Sequence, residues 1–449
     1  MKKIFQYIML AVVTIVMASC TSDIEETTAT TGKNNVQLVV GEFPAFVDLQ
    51  TRAIGTPDEG KTSWAEGDEL LLEIDNTSYG RHNATFTYNG KSWELTSGEL
   101  VYLEGDPAYI SHVYYAPNYK WSNTSLMLKK GKVAGTDELI EGKARITGNG
   151  ETITVSFAEA TRKYSRLRIA TLPNEQITVD TEYFTPAGSS DMEQEGNYTL
   201  TSDEKGNAYL YGTFENNSEV TVKYREAALT TYTFSQATES AKSYALDATV
   251  ISANSAEEIK SAIEQKVADG KTTIRLNLAP NAGTNEFMAI REAIKGAAPN
   301  DLGTIELTII GVETIPEEAF YKMLQLKSVR MSDVKEIKKY AFKECQYLTV
   351  VEAPSLNKLC SGAFKKCVQL AKLTFGPINY ADERNWPIFE YITPNIDLIL
   401  SDYQKEMIET DDYLYTANND RDYAGSDEHN SKNFLGREFK SITCRYPVE

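Results

Sequence analysis

Apolar residues between positions 315 and 373 recur in three copies that lie 22 residues apart. Inside each copy the apolar positions fall at irregular gaps, which match neither the period of a helix nor that of a strand. A fixed period of about 20–29 residues predicts a solenoid of leucine-rich coils, in which each coil buries its apolar edge against the next. The three sets are Ile315, Ala319, Phe320, Met323, Leu326 and Val329; Ile337, Ala341, Phe342, Cys345, Leu348 and Val351; and Leu359, Ala363, Phe364, Cys367, Leu370 and Leu373.

The predicted core of these coils consists of ladders of equivalent side chains. In neighbouring strands such residues lie about 4.7–4.9 Å apart. An Ala-Phe pair occupies the same place in every copy, so we expect the phenylalanines to form one ladder. The predicted repeat core contains Phe320, Phe342, Phe364, Leu326, Leu348, Leu370, Cys345 and Cys367.

The coil sequence resembles the BspA-type leucine-rich repeat, whose coil reads roughly Ile-x-x-x-Ala-Phe-x-x-Cys-x-x-Leu-x-x-Ile. The segments IKKYAFKECQYLTVV and LCSGAFKKCVQLAKL follow this pattern, and IPEEAFYKMLQLKSV has Met323 in the Cys position. The resemblance covers residues 307–375. It implies a secreted or surface protein, because known members are mostly of this kind and several are adhesive.

Residues 36–250 have a different pattern of short alternating runs separated by turns. Asn89 and Gly90 lie between two such runs, which is a strong signal for a β-hairpin. Many short strands without helical intervals predict an antiparallel β-sandwich region, and one large sandwich or two small ones fit equally well. The runs are VQLVV, ELLLEI, ATFTYNGKSWEL, AYISHVYYAP, TITVSF, SRLRIATL, AYLYGTF and EVTVKY.

Two short phrases in this region resemble Bacteroidetes fimbrillin-like proteins, the subunits and anchors of one type of pilus. They are LQTRA (49–53) and SWAEGDELLLEI (63–74). The resemblance implies a possible protease cut between Arg52 and Ala53, which would remove a first strand and open a groove for a partner's donated strand. The plain alternative is that Thr51 and Arg52 belong to an ordinary surface linker.

The N-terminal stretch MKKIFQYIMLAVVTIVMASC has two lysines, an apolar run and small residues before Cys20, which is typical of a signal peptide over residues 1–19. Its end resembles a bacterial lipobox, which implies that Cys20 becomes the lipidated first residue of the mature protein. The acidic residues that follow resemble the surface-export signal of Bacteroidetes lipoproteins. Residues 20–35 are polar and are predicted to form a flexible acidic tether.

The segments on either side of the repeats are predicted to cap the solenoid. Residues 251–306 contain a helix that begins at the capping-box pair Ser255 and Glu258 and ends at Gly270, then a strand and a second short helix. Residues 376–449 are predicted to cap the other end. The predicted fold class is therefore a mainly β N-terminal part followed by an α/β leucine-rich-repeat solenoid.

Charge and chemistry narrow the functions that fit this chain. Its 45 basic and 64 acidic residues give a formal net charge of −19, which disfavours nucleic acid as a partner. The three histidines are scattered, and the acidic stretch 411–428 lacks the glycine and glutamate positions of a calcium loop. We therefore do not expect the protein to be an enzyme, to hold a cofactor or to bind a metal ion.

The four cysteines after Cys20 lack the paired spacing of a zinc site. Their redox state is open at the level of the sequence. Cys345 and Cys367 fit small buried hydrophobes, and a disulfide across adjacent coils is the alternative. The other two are Cys360 and Cys444.

Two hypotheses of function follow. In the first, a lipoprotein anchored in the cell outer membrane and exposed at the surface binds a protein or glycan outside the cell through its repeats. In the second, the chain is an accessory, tip or anchor subunit of a pilus and accepts a strand donated by other pilus subunits.

The lipidation of Cys20 can be tested by replacing this residue. We expect Cys20→Ala to abolish incorporation of a palmitate analogue into the protein in growing cells, because the acyl chains attach through this cysteine. The matched control is Thr21→Ala, which should be labelled like the parent. Label retained by Cys20→Ala would contradict the prediction.

Overall fold

The structure is a computed structural model of the 449-residue chain. The residues that it describes are 37–48, 61–76, 80–99, 108–123, 125–147, 152–157, 162–225, 227–253, 255–382, 387–403, 433–435 and 437–445. No helix within these ranges is long and apolar enough to cross a membrane.

The first part of the chain forms one seven-stranded sheet, the first sheet, with the order β1-β10-β9-β6-β3-β4-β5. Its pairs are antiparallel except for β1, which lies parallel to β10. The short strands β7 and β8 form a separate hairpin. The strands of this part of the chain, of which β2 belongs to the second sheet described below, are β1 (Gln37–Val40), β2 (Val47–Asp48), β3 (Glu69–Asn76), β4 (Gly80–Tyr88), β5 (Trp93–Gly98), β6 (Ala108–Tyr115), β7 (Tyr119–Ser122), β8 (Ser125–Leu128), β9 (Ile140–Thr147) and β10 (Thr152–Ser156).

The next part of the chain forms the second sheet, with the order β16-β15-β12-β14-β11-β17-β2 and with β13 paired to β12. Here β17 lies parallel to both β11 and β2, and the other pairs are antiparallel. The strands are β11 (Ser165–Ala170), β12 (Gln176–Pro186), β13 (Glu193–Thr201), β14 (Asn207–Phe214), β15 (Glu219–Tyr224), β16 (Ala227–Thr233) and β17 (Lys242–Asp247).

Alternating apolar residues explain why these segments become strands with one buried face. In β15 the residues Val220, Val222 and Tyr224 are buried and the residues between them are not. The predicted hairpin at Asn89 and Gly90 joins β4 to β5, and Gly90 has a φ of 87°, which glycine adopts without strain. The prediction of a β-rich N-terminal part is confirmed.

Each sheet surrounds a hydrophobic core of its own. In the first sheet, Trp64 contacts both Trp93 on the edge strand β5 and Phe157 just after β10, with ring centroids 5.2 and 5.5 Å apart. The edge strand β5 and the end of β10, which lies next to the other edge strand β1, therefore contribute to one core. The second core is built around Phe184, Phe214 and their neighbours, and the two sets of core residues do not overlap.

The junction between the two sheets is built around the buried side chain of Arg162. Its guanidinium pairs with Glu138 at 3.0 Å and donates to the carbonyl of Pro44 at 2.6 Å. The same group lies 4.0 Å from the ring of Phe46, and the Tyr164 hydroxyl donates to Glu138 at 2.5 Å. A buried ion pair needs such full hydrogen bonding to offset its desolvation. These contacts hold the chain between β1 and β2 against both sheets.

The C-terminal half forms a large parallel sheet, with the order β18-β19-β20-β22-β24-β26-β28-β31, and a small parallel sheet, β21-β23-β25-β27. Its elements are β18 (Ile251–Ala253), α1 (Ala256–Ala268), β19 (Thr273–Leu278), α2 (Thr284–Ala297), β20 (Ile305–Ile310), β21 (Thr314–Ile315), β22 (Leu326–Arg330), β23 (Glu336–Ile337), β24 (Val350–Ala353), β25 (Lys358–Cys360), β26 (Lys372–Phe375), β27 (Tyr380–Asp382), β28 (Asp397–Ser401), β29 (Asn433–Phe434), β30 (Arg437–Glu438) and β31 (Ser441–Arg445).

The strand register confirms the spacing of 22 residues read from the sequence. Leu307 pairs with Val329, Val329 with Val351, and Val351 with Leu373. In the small sheet Ile315, Ile337 and Leu359 are paired in the same way. Every coil therefore adds one rung to each sheet.

The phenylalanine ladder runs through the middle of this stack. The rings of Phe320 and Phe342 stack with centroids 5.1 Å apart, and those of Phe342 and Phe364 with centroids 5.4 Å apart. Phe389 continues the stack at 5.8 Å beyond Phe364. Phe287 of α2 meets one end edge-on and Phe439 meets the other, so both ends of the ladder are covered.

Two helices precede the coils. The side chain of Ser255 accepts a hydrogen bond from the backbone N–H of Glu258 at the start of α1, as the capping-box pattern predicts. Ile259 and Ile263 of α1 and Phe287 of α2 join the core of the solenoid. The C-terminal half also contacts the second sheet, because Ile310 lies in the second core and Arg275 of β19 donates to the carbonyl of Leu229 at 2.5 Å.

Removing the central ring of the ladder should destabilise the coils. We expect Phe342→Ala to cost about 3–5 kcal/mol, from lost transfer energy and a cavity. Since each coil is held mainly by its neighbours, hydrogen exchange of the full chain should accelerate across residues 305–375 and stay unchanged across residues 37–157. The matched control is the exposed Gln346→Ala in the same coil. Equal exchange in the two variants would contradict the role of the ladder.

Candidate binding surfaces

Several residues singled out from the sequence lie in the core of the repeats. Phe320, Phe342, Phe364, Leu326, Leu348, Cys345 and Cys367 are fully buried, and Leu370 is 2% exposed. These side chains hold the coils together and cannot contact a ligand. Cys20, Arg52 and Ala53 lie outside the described residues, as do residues 404–432 of the predicted C-terminal cap.

Two core cysteines occupy equivalent positions in consecutive coils, next to the phenylalanine ladder. The thiol of Cys345 donates to the carbonyl of Phe320 and that of Cys367 to the carbonyl of Phe342, both at 2.9 Å. No disulfide is formed by the four cysteines in the described part of the chain. Burial raises the pKa of Cys345 to about 12 and that of Cys367 well above its usual value. Both sulfurs therefore remain protonated thiols at neutral pH.

The large parallel sheet presents the first candidate surface. Its outward rows carry charges that are paired across coils. Lys327 pairs with Glu306 at 2.8 Å, and Arg330 pairs with Glu352 at 3.0 Å. One outward row, read from the register, consists of Glu306, Ser328, Val350, Lys372 and Asp397. This surface is polar, and its cations largely compensate its anions.

The small sheet and the groove beside it form the second surface. Glu336 pairs with Lys358 at 2.7 Å, and Lys335 pairs with Glu313 at 2.5 Å. A groove of about 640 Å³ lies next to these residues. Inside it, Asp333 accepts a hydrogen bond from the backbone N–H of Gly311 at 2.7 Å, so its carboxylate already has a partner.

The turns that join the two sheets form the third surface. Each coil places two residues in the left-handed region here, for example Tyr340 with φ 56° and Glu344 with φ 63°. Their N–H groups donate to the next coil, to the carbonyls of Ser361 at 3.2 Å and Lys365 at 2.8 Å. These hydrogen bonds offset the strain of a positive φ, which costs about 1–2 kcal/mol for residues with a Cβ. The turns therefore have the same shape in successive coils.

Side chains on these turns form a cluster of lysines and tyrosines. The ammonium group of Lys343 lies 5.1 Å from the ring of Tyr321 and 4.6 Å from that of Tyr340. Two cations of α2 border the first turn, because Arg291 and Lys295 donate to backbone carbonyls there. We call this surface the lysine–tyrosine face, and its members are Arg291, Lys295, Tyr321, Lys322, Lys339, Tyr340, Lys343, Lys366 and Tyr391.

The sequence did not single out the lysine–tyrosine face. Its signal was present, because the two residues after each Ala-Phe pair are Tyr321 and Lys322 in one coil, Lys343 and Glu344 in the next, and Lys365 and Lys366 in the third. From the sequence alone, without the positions of the turns, these residues could not be distinguished from ordinary polar residues between two core positions. The described residues also include no group of three or more His, Cys, Asp and Glu side chains that could hold a metal ion.

Comparisons with known proteins identify the repeats. The sequence matches the family described as BspA type Leucine rich repeat region over residues 302–394, a wider range than the predicted 307–375. No curated protein matches the chain.

Two solved structures are similar to parts of the chain. A T. pallidum leucine-rich repeat protein is 19% identical with a TM-score of 0.17, and the match covers 21% of this chain and 58% of that protein. A minor pilin of the Gram-positive pathogen Streptococcus agalactiae is 10% identical with a TM-score of 0.15, and the match covers 46% of this chain and 94% of the pilin. The family match alone identifies residues 302–394 as a leucine-rich repeat region of BspA type.

The buried thiols lead to a labelling prediction. At pH 8 we expect iodoacetamide to leave Cys345 and Cys367 of the folded chain unmodified and to label the half-buried Cys360 and Cys444 first, because the thiolate is the reactive form. Mass spectrometry of peptides gives the extent of labelling. Equal rates for the four thiols would contradict this prediction.

The same thiols should make the fold less stable at high pH. A thiol of the unfolded chain ionises near its ordinary pKa of 9.0, while Cys345 in the fold ionises at about 12. The stability that the protonated thiol contributes is therefore complete below pH 9 and is lost as the pH rises toward 12.

Proposed function

We propose that this protein is a surface lipoprotein that binds a partner outside the cell through its leucine-rich repeat region. In this proposal Cys20 carries the lipid anchor in the cell outer membrane, and the acidic tether with Asp23, Glu25 and Glu26 directs the chain to the cell surface. The partner is a protein or a glycan. The protein acts by binding and not by catalysis.

The observation that supports this proposal is the regular exterior of the repeats. Residues 302–394 stack as parallel coils, so equivalent side chains line up in rows across the large sheet, the small sheet and the turns. The core of each coil is already filled by apolar side chains, and the variable residues lie on the outside. Solenoids of this kind use such extended surfaces to bind partners.

A second candidate function, acceptance of a donated strand in a pilus, has support from β1. This strand lies at the edge of the first sheet, parallel to β10, and Leu38 and Val40 are buried in the first core. It precedes the predicted cut at Arg52 in the chain. A cut there would separate β1 from the strands that follow and leave the edge of β10 and an apolar groove for another strand.

One experiment tests both candidates. The photo-reactive residue p-benzoylphenylalanine replaces either Tyr391 of the repeats, which is 50% exposed, or Thr154 of β10, which lies beside β1. Intact cells that carry either variant are then irradiated. If the repeats bind the partner, we expect a crosslinked partner from Tyr391 and none from Thr154.

Crosslinks from Thr154 alone, to subunits of a pilus, would favour the second candidate and contradict the first. The matched control is the same residue placed at Tyr183 of the second sheet, which is 41% exposed and lies in neither proposed surface. A partner captured equally well from Tyr183 would show that the contact at Tyr391 is nonspecific.

A further inference from the structure

The lysine–tyrosine face concentrates positive charge in a chain whose net charge is −19. Glu344 lies between two of its lysines, 3.5 Å from Lys322 and 3.7 Å from Lys366. Within the described ranges, Lys339 and Lys343 have no carboxylate at ion-pair distance and instead lie over tyrosine rings. The first turn also carries the exposed Glu317 and Glu318. The six cations of the face still outnumber these two residues and Glu344, so the face has an excess of positive charge, unlike the surfaces of the two sheets.

The cations of this face also repel one another. Burial lowers the pKa of Lys295, and the nearby positive charges of Arg291 and Lys322 lower it further. Like charges placed close together raise the free energy of the unbound protein, and a bound anion would relieve this repulsion.

The cations follow the axis of the solenoid. Lys322 and Lys366 occupy the same position two coils apart with Glu344 between them, and Lys343 lies at the neighbouring position of the middle coil. The strands of neighbouring coils are about 4.7–4.9 Å apart. Tyr321 and Tyr340 hold the ammonium groups of Lys322 and Lys343 by cation–π contact, and Glu344 lies 3.7 Å from that of Lys366. These contacts limit the freedom of the three cations before a ligand binds. Such a line of fixed charges fits a linear polyanion better than a single small anion.

We propose that the lysine–tyrosine face binds a linear anionic polysaccharide that carries sulfate or carboxylate groups. This inference rests on the binding function proposed above and assigns its partner class and its surface. Lysine supplies point charges that accept sulfate or carboxylate groups in many orientations. The tyrosine hydroxyls add hydrogen-bonding groups that suit the many hydroxyls of a sugar chain.

Two other classes of macromolecule fit this face less well. Single-stranded nucleic acid binds by stacking its bases on open aromatic faces, whereas lysine ammonium groups lie over the rings of Tyr321 and Tyr340. A protein partner needs a desolvated apolar centre in the interface. The centre of this face is occupied by the charged Lys343 and its tyrosine neighbours.

The test compares two sets of lysine substitutions in the full chain without its predicted signal peptide. The face variant carries Lys322→Gln, Lys343→Gln and Lys366→Gln. The control variant carries Lys327→Gln, Lys335→Gln and Lys372→Gln, which lie on or beside the sheets of the same coils and change the net charge equally. Side chains of the control set are 46–52% exposed, close to the 55% and 47% of Lys322 and Lys366.

The readout is surface plasmon resonance on immobilised heparin, with neutral dextran as the blank. We expect the parent and the control variant to bind heparin with similar Kd, weakened by added salt, and the face variant to bind about tenfold more weakly or worse. The melting temperature of each variant is measured beside its Kd. If the triple variant is less stable than the parent, the double variant Lys322→Gln, Lys366→Gln replaces it in the same comparison.

Three results would overturn the proposal. In the first, the parent chain does not bind heparin. In the second, the face variant and the control variant lose the same heparin affinity. In the third, inorganic polyphosphate or an oligodeoxynucleotide displaces the protein from immobilised heparin as effectively as free heparin does. The crosslinking experiment at Tyr391 tests the proposed binding function without heparin. A chain that captures a partner there but does not bind heparin would contradict only the polysaccharide proposal, so the two failures can be told apart.

Discussion

Parallel pairing of successive coils is the constraint on which the C-terminal half depends, and in the middle of the stack the paired residues are 22 positions apart. A coil has too little apolar surface to form a core alone, so it is stable only when the next coil covers it. The stacked rings of Phe320, Phe342, Phe364 and Phe389 lie along this axis. Phe389 lies 25 residues after Phe364 and still stacks on it at 5.8 Å, so the longer coil keeps the ring and the pairing of its strand in place.

Because the interior is devoted to stacking, the exterior is where the coils differ and where a partner can be recognised. The two sheets pair their charges across coils, as Lys327 does with Glu306 and Lys358 with Glu336. The turns follow this rule only in part, because Lys322 and Lys366 share the single carboxylate of Glu344 and Lys343 lies over tyrosine rings. One scaffold thus offers surfaces of different electrostatic character, and the turns are the surface suited to an anion.

The N-terminal half depends on a different kind of contact. Its two sheets have separate cores, and the chain before β3 connects them, because β1 pairs with the first sheet and β2 with the second. Arg162 holds the intervening segment through the carbonyls of Pro44 and Ala45 and through its pair with Glu138. The segment 37–48 therefore supplies an edge strand to each sheet and, between these two strands, the backbone carbonyls to which Arg162 donates.

The sequence by itself determined the local features of this protein. The alternation of apolar residues determined the strands, the Asn89-Gly90 pair determined the hairpin, and Ser255 determined the capping of α1. Each of these features depends on residues that are neighbours in the chain. The period of the coils was also readable, because a repeat shows its own register. Only the tertiary structure decided that the N-terminal part has two cores, that Arg162 joins them, and that Tyr321, Lys343 and Lys366 share one surface. These outcomes depend on residues that are distant in the chain, and no local pattern encodes which of them meet.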